Sequence, residues 1–264
     1  MNLFKNIIYV YSLFFGSSLL AQSNSFSVGW ELWYPYQYHD EEQQLIGLDF
    51  DIFNAIIQQA NITVNYTELP WKRHLHYIKT GEMAMAMGAS YTEDRALYAF
   101  YSKPYRSETV KLYVKKGQAK KISLKKLSDL LSSPYMIGVE GGYFYGNEYQ
   151  ELIKNPKFQA QINEVIDIEE NVQLLLKGHI DGFLVDPVTM TAFANKYKMR
   201  GEFEQHEIEI YSDNIYIMLS KKAMNVQTLE RINNAISTLE ENGKLTDIIN
   251  NWSKFQSSTN GIKP

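Results

Sequence analysis

Short apolar segments alternate with amphipathic segments in the first part of the chain, which is the pattern of strands alternating with helices. The predicted strands cover residues 27–32, 62–69 and 83–87, and the predicted helices cover residues 51–60 and 71–80. Asp49 or Asp51 is the expected N-cap of the first helix, and Gly81 is expected to end the second. This order of elements predicts an α/β fold with a parallel sheet and helices on both of its faces.

A second series of similar segments begins near residue 111. We expect helices at residues 124–131, 143–153, 169–177 and 187–196, and strands at residues 135–139 and 180–185. The chain then ends with a strand at 215–220, a long helix at 226–241 and a short helix that ends at Trp252. No Pro- or Ser-rich linker separates the two series. The chain is therefore expected to cross more than once between two α/β lobes.

The first 21 residues have the pattern of a cleavable signal peptide. Lys5 precedes an apolar core at residues 7–15, which is too short to span a bilayer comfortably, and cleavage is expected after Ala21. An uncleaved anchor is the alternative. The sequence contains no cysteine, which excludes a lipid on an N-terminal cysteine, disulfides and thiolate metal sites. We therefore expect an exported periplasmic protein that is not a lipoprotein.

The composition narrows the classes of function. The formal net charge of the 264 residues is -4, which argues against a nucleic-acid binder because such proteins carry a basic surface. The sequence has no phosphate loop and no nucleophile elbow. His74 and His76 are two residues apart and point in different directions on a helix, so they cannot share a metal. We expect no cofactor and no metal site.

Residues 88–95 carry the most informative chemistry, because they follow the predicted strand 83–87 and begin a polar, helix-like segment. Thr92 is the expected N-cap of that segment, which brings Arg95 close to exposed amides at the strand end. A planar guanidinium forms two charge-assisted hydrogen bonds with a carboxylate. These residues therefore favour a carboxylate-binding site, and the alternative is an arginine on a solvated helix.

Ligands in open α/β sheets bind beyond the carboxyl ends of the strands. The second series places residues 139–143 and Asp186 at two such ends. A cleft between the lobes, lined by strand ends from both, is therefore the expected binding site. The aromatic content of 14% agrees with a cleft that uses aromatic rings.

Five motifs occur in a recognisable order after the predicted signal peptide. They are Tyr34-Pro35-Tyr36-Gln37-Tyr38; Gly47-Leu48-Asp49-Phe50-Asp51-Ile52; Ser90-Tyr91-Thr92-Glu93-Asp94-Arg95 with Phe100-Tyr101-Ser102-Lys103-Pro104-Tyr105; Gly178-His179-Ile180-Asp181-Gly182 with Asp186; and Glu240-Glu241-Asn242-Gly243-Lys244 with Trp252. In this order they resemble the motifs of the bacterial extracellular solute-binding proteins of family three, the polar amino-acid group. The resemblance covers nearly the whole chain after residue 21.

The resemblance implies a two-lobed periplasmic binding protein fold of type II, also called a Venus flytrap. Its lobes would be joined by two crossing hinge segments, near residues 104–110 and 206–214. The implied organisation is a signal peptide at 1–21, lobe 1 at 22–106 and 213–264, and lobe 2 at 107–212. Proteins of this architecture work by hinge closure around a ligand.

The resemblance also implies roles for residues on both lobes. Arg95 would bind the α-carboxylate of a ligand, helped by the Ser90 hydroxyl and the Gly88 backbone, and Asp186 would pair with the α-ammonium. Asp186 has a second interpretation, as the N-cap of the helix that begins at Pro187. The remaining residues expected around the ligand are Trp71, Trp33, Glu140, Gly142 and Tyr143. The alternative for Trp71 and Trp33 is a place in the core.

Two acidic residues bear on the ligand side chain. If Glu31 and Glu140 face the cleft, they favour a cationic or hydrogen-bond-donating side chain over an acidic one. The position of Arg73 has two interpretations, since this residue either reaches the cleft or lies on the surface of its helix.

The expected function is that of a monomeric periplasmic solute-binding protein. It would close on a small zwitterion, a polar amino acid, and present it to an ABC-type permease or to a sensor. Two alternatives stay open. One is an enzyme of the same fold that dehydrates a cyclic acid, with Glu140 or Glu31 as general acid. The other is a binding protein that serves sensing alone.

Overall fold

A computed structural model describes residues 25–258, with side chains described as far as residue 253. The predicted signal peptide lies outside the described residues. The strands are β1 (Phe26–Trp30), β2 (Tyr38–His39), β3 (Leu45–Ile46), β4 (Val64–Glu68), β5 (Met85–Ser90), β6 (Ala99–Tyr101), β7 (Arg106–Lys115), β8 (Ile137–Glu140), β9 (Ile162–Val165), β10 (Gly182–Val185) and β11 (Phe203–Ser220). The helices are α1 (Leu48–Gln59), α2 (Trp71–Thr80), α3 (Glu93–Ala96), α4 (Asn147–Leu152), α5 (Pro156–Gln159), α6 (Ile168–Lys177), α7 (Pro187–Lys196), α8 (Val226–Glu241) and α9 (Lys244–Ser258).

One nine-stranded sheet runs through the described part of the molecule. Its strand order is β4-β1-β5-β11-β7-β10-β8-β9, and β6 pairs with β11 beside this path. The strands β4, β1 and β5 are parallel, as are β10, β8 and β9. In the middle of the sheet β11 runs antiparallel to both β5 and β7. The predicted parallel sheet is therefore correct on each side and wrong at the centre.

Buried apolar side chains form separate cores on the two sides of this sheet. Residues between 28 and 105 pack with residues between 215 and 245, around Phe53, Met85 and Ile217. Residues between 110 and 208 form the other cores, around Leu112 and Phe183. We call the first side lobe 1 and the second lobe 2. The two-lobed α/β fold expected from the sequence is confirmed, and the exact boundaries at 106/107 and 212/213 stay a prediction.

Two paired strands connect the lobes. Residues 106–110 of β7 lie opposite residues 211–215 of β11 in antiparallel register, from Arg106 beside Ile215 to Val110 beside Tyr211. The expected hinge segments at 104–110 and 206–214 overlap this pair. Each chain crossing is thus a β-strand that is hydrogen-bonded to the other crossing.

Several helix ends match the sequence signals. Helix α2 spans residues 71–80 and ends at Gly81, which has a left-handed φ of 90°. Helix α7 begins at Pro187 with Asp186 as its N-cap, and the amide of Arg95 donates to Thr92 Oγ1 at 3.1 Å. The predicted caps at Thr92 and Asp186 are therefore confirmed.

The start of α1 differs from the prediction. Gly47 occupies the N-cap position, and neither Asp49 nor Asp51 caps the helix. Asp49 forms an ion pair with Arg106, and Asp51 accepts a hydrogen bond of 2.8 Å from Trp252 Nε1. Both carboxylates thus make tertiary contacts, which the helical periodicity of the sequence cannot predict.

Other predicted boundaries also change. Strand β5 continues to Ser90, and β11 begins at Phe203, twelve residues before the predicted strand. The predicted helix at 143–153 is reduced to α4, because Gly142 and Gly146 have left-handed φ values of 86° and 93° that interrupt a helix. Residues 127–132 form a 3-10 helix in place of the α-helix predicted at 124–131. Within the described residues, no helix is long and apolar enough to cross a membrane.

Candidate functional site

The carboxyl ends of the parallel strands from both lobes meet at one junction. In lobe 1, Glu31 follows β1 and Trp71 lies three residues beyond the end of β4. In lobe 2, Glu140 ends β8 and Asp186 follows β10. The direct contacts across the junction include Trp33 Nε1 to Thr189 Oγ1, Tyr36 Oη to Asp186 Oδ1, Tyr143 Oη to Glu31 Oε1, Arg95 Nη2 to the Gly142 carbonyl, Lys72 Nζ to Glu164 Oε1, and Lys196 Nζ over the Tyr34 ring. The predicted strand-end cleft therefore lies between the lobes.

Arg95 is a buried cation of lobe 1, with 8% of its surface exposed. Its Nη1 donates to the Ser90 carbonyl at 3.1 Å, and its Nη2 donates to the Gly142 carbonyl of lobe 2 at 2.9 Å. The guanidinium carbon lies 5.8 Å from the centre of the Trp71 ring. Within the part of the chain that the structure describes, Arg95 forms no ion pair with a carboxylate. Burial lowers the pKa of its guanidinium. The described residues thus leave Arg95 without an acidic partner, and its binding of a ligand carboxylate stays a prediction.

Gly88 and Ser90 lie within β5 and not beyond its end. The amide of Gly88 donates to Tyr105 Oη at 2.8 Å. The sequence predicts exposed amides at this strand end, and for Gly88 that prediction is wrong. Gly88 has a φ of 74°, and a Cβ atom there would lie 3.0 Å from Trp33 Cζ3. Ser90 contacts Arg95 through its carbonyl oxygen. Ser90 thus lies beside Arg95 and Gly88 lies beside Trp33, and their direct contact with a ligand stays a prediction.

Asp186 is a buried carboxylate at the start of α7. Its Oδ1 accepts hydrogen bonds from the amides of Val188 at 2.9 Å and Thr189 at 3.0 Å. The same oxygen accepts a third hydrogen bond of 2.9 Å from Tyr36 Oη of lobe 1. Burial raises the pKa of Asp186, and these hydrogen bonds oppose that rise. The cap role is confirmed, and the pairing with an α-ammonium stays a prediction.

A buried ion pair between Asp49 and Arg106 supports the same region. Arg106 Nε and Nη2 lie 2.6 and 2.8 Å from the two carboxylate oxygens of Asp49, which is a bidentate arrangement. The Arg106 guanidinium carbon lies 4.1 Å from the centre of the Tyr36 ring and 5.3 Å from that of Trp33. Sequence reasoning missed Arg106, and a usable signal was its place two residues before Glu108 on the same strand face.

Glu31 joins the start of α2 to lobe 2. Its Oε2 accepts from the amide of Trp71 at 2.8 Å, and its Oε1 accepts from Tyr143 Oη at 2.5 Å. Burial raises the pKa of Glu31 to about 7, against the opposing effect of these two hydrogen bonds. Burial and the nearby Glu31 also raise the pKa of Glu140 well above its usual range. Both acidic residues therefore face the junction, which is the condition under which the sequence favours a cationic or hydrogen-bond-donating ligand side chain.

The aromatic residues expected around a ligand are buried at the junction. Trp71 stacks on Tyr143 with a centroid distance of 6.4 Å and an interplanar angle of 20°. Trp33 meets the edge of Tyr143 at 5.8 Å and donates to Thr189 at 3.2 Å. Both tryptophans thus contact lobe 2 and are more than core residues of lobe 1. Arg73 is exposed over Tyr77, which settles its position on the helix surface.

A cavity of about 490 Å³ opens beside these residues. Its lining includes Arg95, Glu140, Gly142 and Tyr143. Arg95 belongs to lobe 1 and the other three residues belong to lobe 2. The volume is within the range of small-molecule sites. A two-lobed α/β protein with such a site at its lobe junction has the architecture of a solute-binding protein.

Comparison with known proteins agrees with this architecture. Residues 27–255 match the family described as bacterial extracellular solute-binding proteins, family 3, and the chain belongs to that family. The arginine-binding periplasmic protein of Mannheimia haemolytica is 23% identical over 245 residues, which are 91% of this chain and 96% of that protein.

Solved structures show the same fold. AbpA, an amino acid ABC transporter substrate-binding protein of Streptococcus pneumoniae bound to L-arginine, has a TM-score of 0.72 and 18% identity, with 91% of this chain and 96% of that chain covered. A histidine kinase sensor domain with similarity to periplasmic binding proteins has a TM-score of 0.74 and 16% identity, with 87% and 96% covered. The proteins of this family are solute-binding proteins, so the protein is assigned to a binding class.

Proposed function

We propose that this protein binds a cationic amino acid, such as arginine, lysine or ornithine, between its two lobes. The observation that carries the proposal is the charge arrangement at the junction. Arg95 is a buried cation that no described carboxylate neutralises. An uncompensated buried charge is costly, and a ligand carboxylate would remove that cost.

The acidic residues of the junction support a ligand with more positive than negative groups. Glu31, Glu108, Glu140 and Asp186 form no ion pair with a described lysine or arginine. Arg106, the second cation, is neutralised by Asp49. A ligand with one carboxylate and two cationic groups would therefore complement Arg95 and leave two positive charges for the carboxylates.

The acidic residues also influence one another. The Glu31 charge raises the pKa of Glu140, after the larger effect of burial. Burial raises the pKa of Glu108 to about 8, and the Asp186 and Asp49 charges add to this rise while Arg106 opposes it. A cation placed among these groups would lower their pKa values and favour their charged forms. The names of the relatives, which include an arginine-binding protein, support the same ligand class.

The wider role follows from the family. We propose that the protein is exported to the periplasm with a cleaved signal peptide, acts as a monomer, and delivers its ligand to an ABC-type permease. Ligand contacts made by both lobes exist only when the lobes meet, so binding would shift the population toward the form that the permease recognises. Relatives of the ABC type support this partner.

Isothermal titration calorimetry with purified protein tests the ligand class. Arginine, lysine and ornithine should bind, and glutamate, which has the opposite side-chain charge, should not. Agmatine keeps the guanidinium of arginine but lacks its carboxylate, so it should bind more weakly than arginine if Arg95 holds the carboxylate. Glu31→Gln keeps the hydrogen-bond acceptor and removes the charge, and should weaken arginine binding more than glutamine binding.

Two results would contradict the proposal. Tight binding of glutamate or of an uncharged amino acid, with no binding of the cationic ones, would overturn the charge argument. Conversion of prephenate or arogenate to an aromatic product would place the protein among enzymes of the same fold.

A further inference from the structure

Tyr143 extends from lobe 2 into the wall of lobe 1. It follows Gly142, whose left-handed φ of 86° turns the loop after β8 toward the start of α2. A Cβ atom on Gly142 would lie 3.5 Å from Trp71 Cδ1 and 3.5 Å from Lys72 Cα. The loop therefore lies directly against lobe 1, and its next side chain enters the junction.

The phenol of Tyr143 makes three contacts with lobe 1. Its hydroxyl donates to Glu31 Oε1 at 2.5 Å. Its ring stacks on Trp71 at 6.4 Å and 20°, and it meets the ring of Trp33 at 5.8 Å and 63°. The Tyr143 side chain thus contacts one carboxylate and two aromatic rings of lobe 1.

These three groups are also the ones that suit a cationic ligand side chain. A carboxylate accepts charge-assisted hydrogen bonds from a guanidinium or ammonium group. Tryptophan faces attract cations, and a guanidinium also stacks on them. Tyr143 therefore engages the same atoms that the side chain of the proposed ligand would engage.

We propose that Tyr143 is a built-in competitor of the ligand side chain, which must displace the Tyr143 phenol to reach Glu31 and Trp71. This inference rests on the proposed function, because it concerns the same junction. The Tyr143 phenol holds the lobes together and lowers the apparent affinity for the ligand. The apparent affinity equals the intrinsic affinity multiplied by the fraction of molecules in which Tyr143 is displaced. Ligands able to replace both the hydrogen bond and the stacking are favoured over ligands that replace only one.

Tyr143→Phe is the decisive variant because it removes the hydroxyl and keeps the ring. Loss of the bond to Glu31 weakens the competitor, so arginine should bind about tenfold more tightly, as expected for about 1.4 kcal/mol. Tyr143→Ala removes the stacking as well and should raise the affinity at least as much. Tyr135→Phe is the matched control, since the Tyr135 hydroxyl donates to the Lys121 carbonyl inside lobe 2 and its loss should leave the affinity unchanged.

A measurement without ligand tests the structural part of the inference. Small-angle X-ray scattering of Tyr143→Ala should show a larger radius of gyration than the wild-type protein, because a contact between the lobes is lost. Tryptophan fluorescence should change in Tyr143→Phe and Tyr143→Ala and not in Tyr135→Phe, since Trp71 and Trp33 both contact Tyr143.

The outcomes separate this inference from the proposed function. If the wild-type protein binds arginine and both Tyr143 variants bind it more weakly, Tyr143 is an ordinary ligand contact, and the competitor is overturned while the proposed function stands. If neither the wild-type protein nor the variants bind any cationic amino acid, the proposed function and the competitor both fail. A Tyr143→Ala variant that does not fold leaves Tyr143→Phe to decide.

Discussion

Tyr36 of lobe 1 and Asp186 of lobe 2 are joined by a hydrogen bond of 2.9 Å between the phenol hydroxyl and Oδ1 of the carboxylate. The same Oδ1 caps α7 through the amides of Val188 and Thr189. The orientation of α7 is therefore tied to the approach of the two lobes. Any ligand group that binds at Asp186 interacts with a carboxylate that already accepts a hydrogen bond from Tyr36.

Tyr36→Phe should weaken closure of the lobes while lobe 1 keeps its fold. A hydrogen bond to a charged group contributes about 1.5–3 kcal/mol. Since the variant loses this bond between the lobes, its affinity for arginine, measured by calorimetry, should fall by about tenfold or more. Tyr66→Phe is a suitable control, because Tyr66 bonds to Asn54 within lobe 1, away from the junction. Unchanged affinity in Tyr36→Phe would show that this bond does not support closure.

Arg95→Lys should reduce arginine affinity by about tenfold to a hundredfold, since a lysine keeps the positive charge but loses the planar pair of donors. The loss should be smaller for agmatine, which has no carboxylate. Circular dichroism should show the same helix content as the wild-type protein. Equal losses for arginine and agmatine would mean that Arg95 does not bind the carboxylate.

Asp49→Asn should destabilise the fold strongly, because it leaves the buried Arg106 guanidinium without its bidentate partner. Removal of one member of a buried ion pair typically costs about 3–5 kcal/mol, which urea denaturation would detect. The exposed pair of Lys154 and Glu151 provides a comparison. Glu151→Gln should change the free energy of unfolding very little, and a similar small effect for Asp49→Asn would contradict the structural role of the pair.

Stability without ligand should fall as the pH rises through neutrality. Burial raises the pKa of Glu31 from 4.5 to about 7 and that of Glu108 from 4.5 to about 8. Their contribution to folding is therefore fully present below pH 4.5 and is lost as the pH rises through about 7 and about 8. Urea denaturation between about pH 5 and about pH 9 should show the decline, and the Glu31→Gln, Glu108→Gln double variant should show a smaller one.

Arginine should reverse part of this decline, because a bound cation lowers the pKa values of the same carboxylates. The affinity for arginine should accordingly rise over the same pH range. A free energy of unfolding that rises with pH in this range would show that Glu31 and Glu108 are not held in their neutral forms.

Much of the fold follows from local signals in the sequence. Helix α2 was predicted to the residue, because its apolar spacing and Gly81 define both the helix and its end. Asp186 and Pro187 likewise define the start of α7. The motif around Arg95 located a true N-cap at Thr92, although β5 continues three residues beyond the predicted strand end. Each of these features depends on residues that are close in sequence.

The contacts that build the site depend on residues far apart in sequence. Asp49 and Arg106 are 57 residues apart, and Tyr36 and Asp186 are 150 residues apart. Periodicity reports which face of an element is apolar and does not report which polar side chains meet across a cleft. For this reason the sequence predicts a helix cap at Asp49 or Asp51 and does not predict the contacts that Tyr36 and Arg106 make.

Strand β11 has a consequence for how the chain folds. Its first residues pair with β7 in lobe 2, and only its last residues, 215–220, pair with β5 and β6 in lobe 1. The last strand segment of lobe 1, residues 215–220, therefore follows the whole of lobe 2 in the sequence. Lobe 1 therefore cannot complete its sheet as an independent unit, and its folding depends on long-range pairing, which is slow.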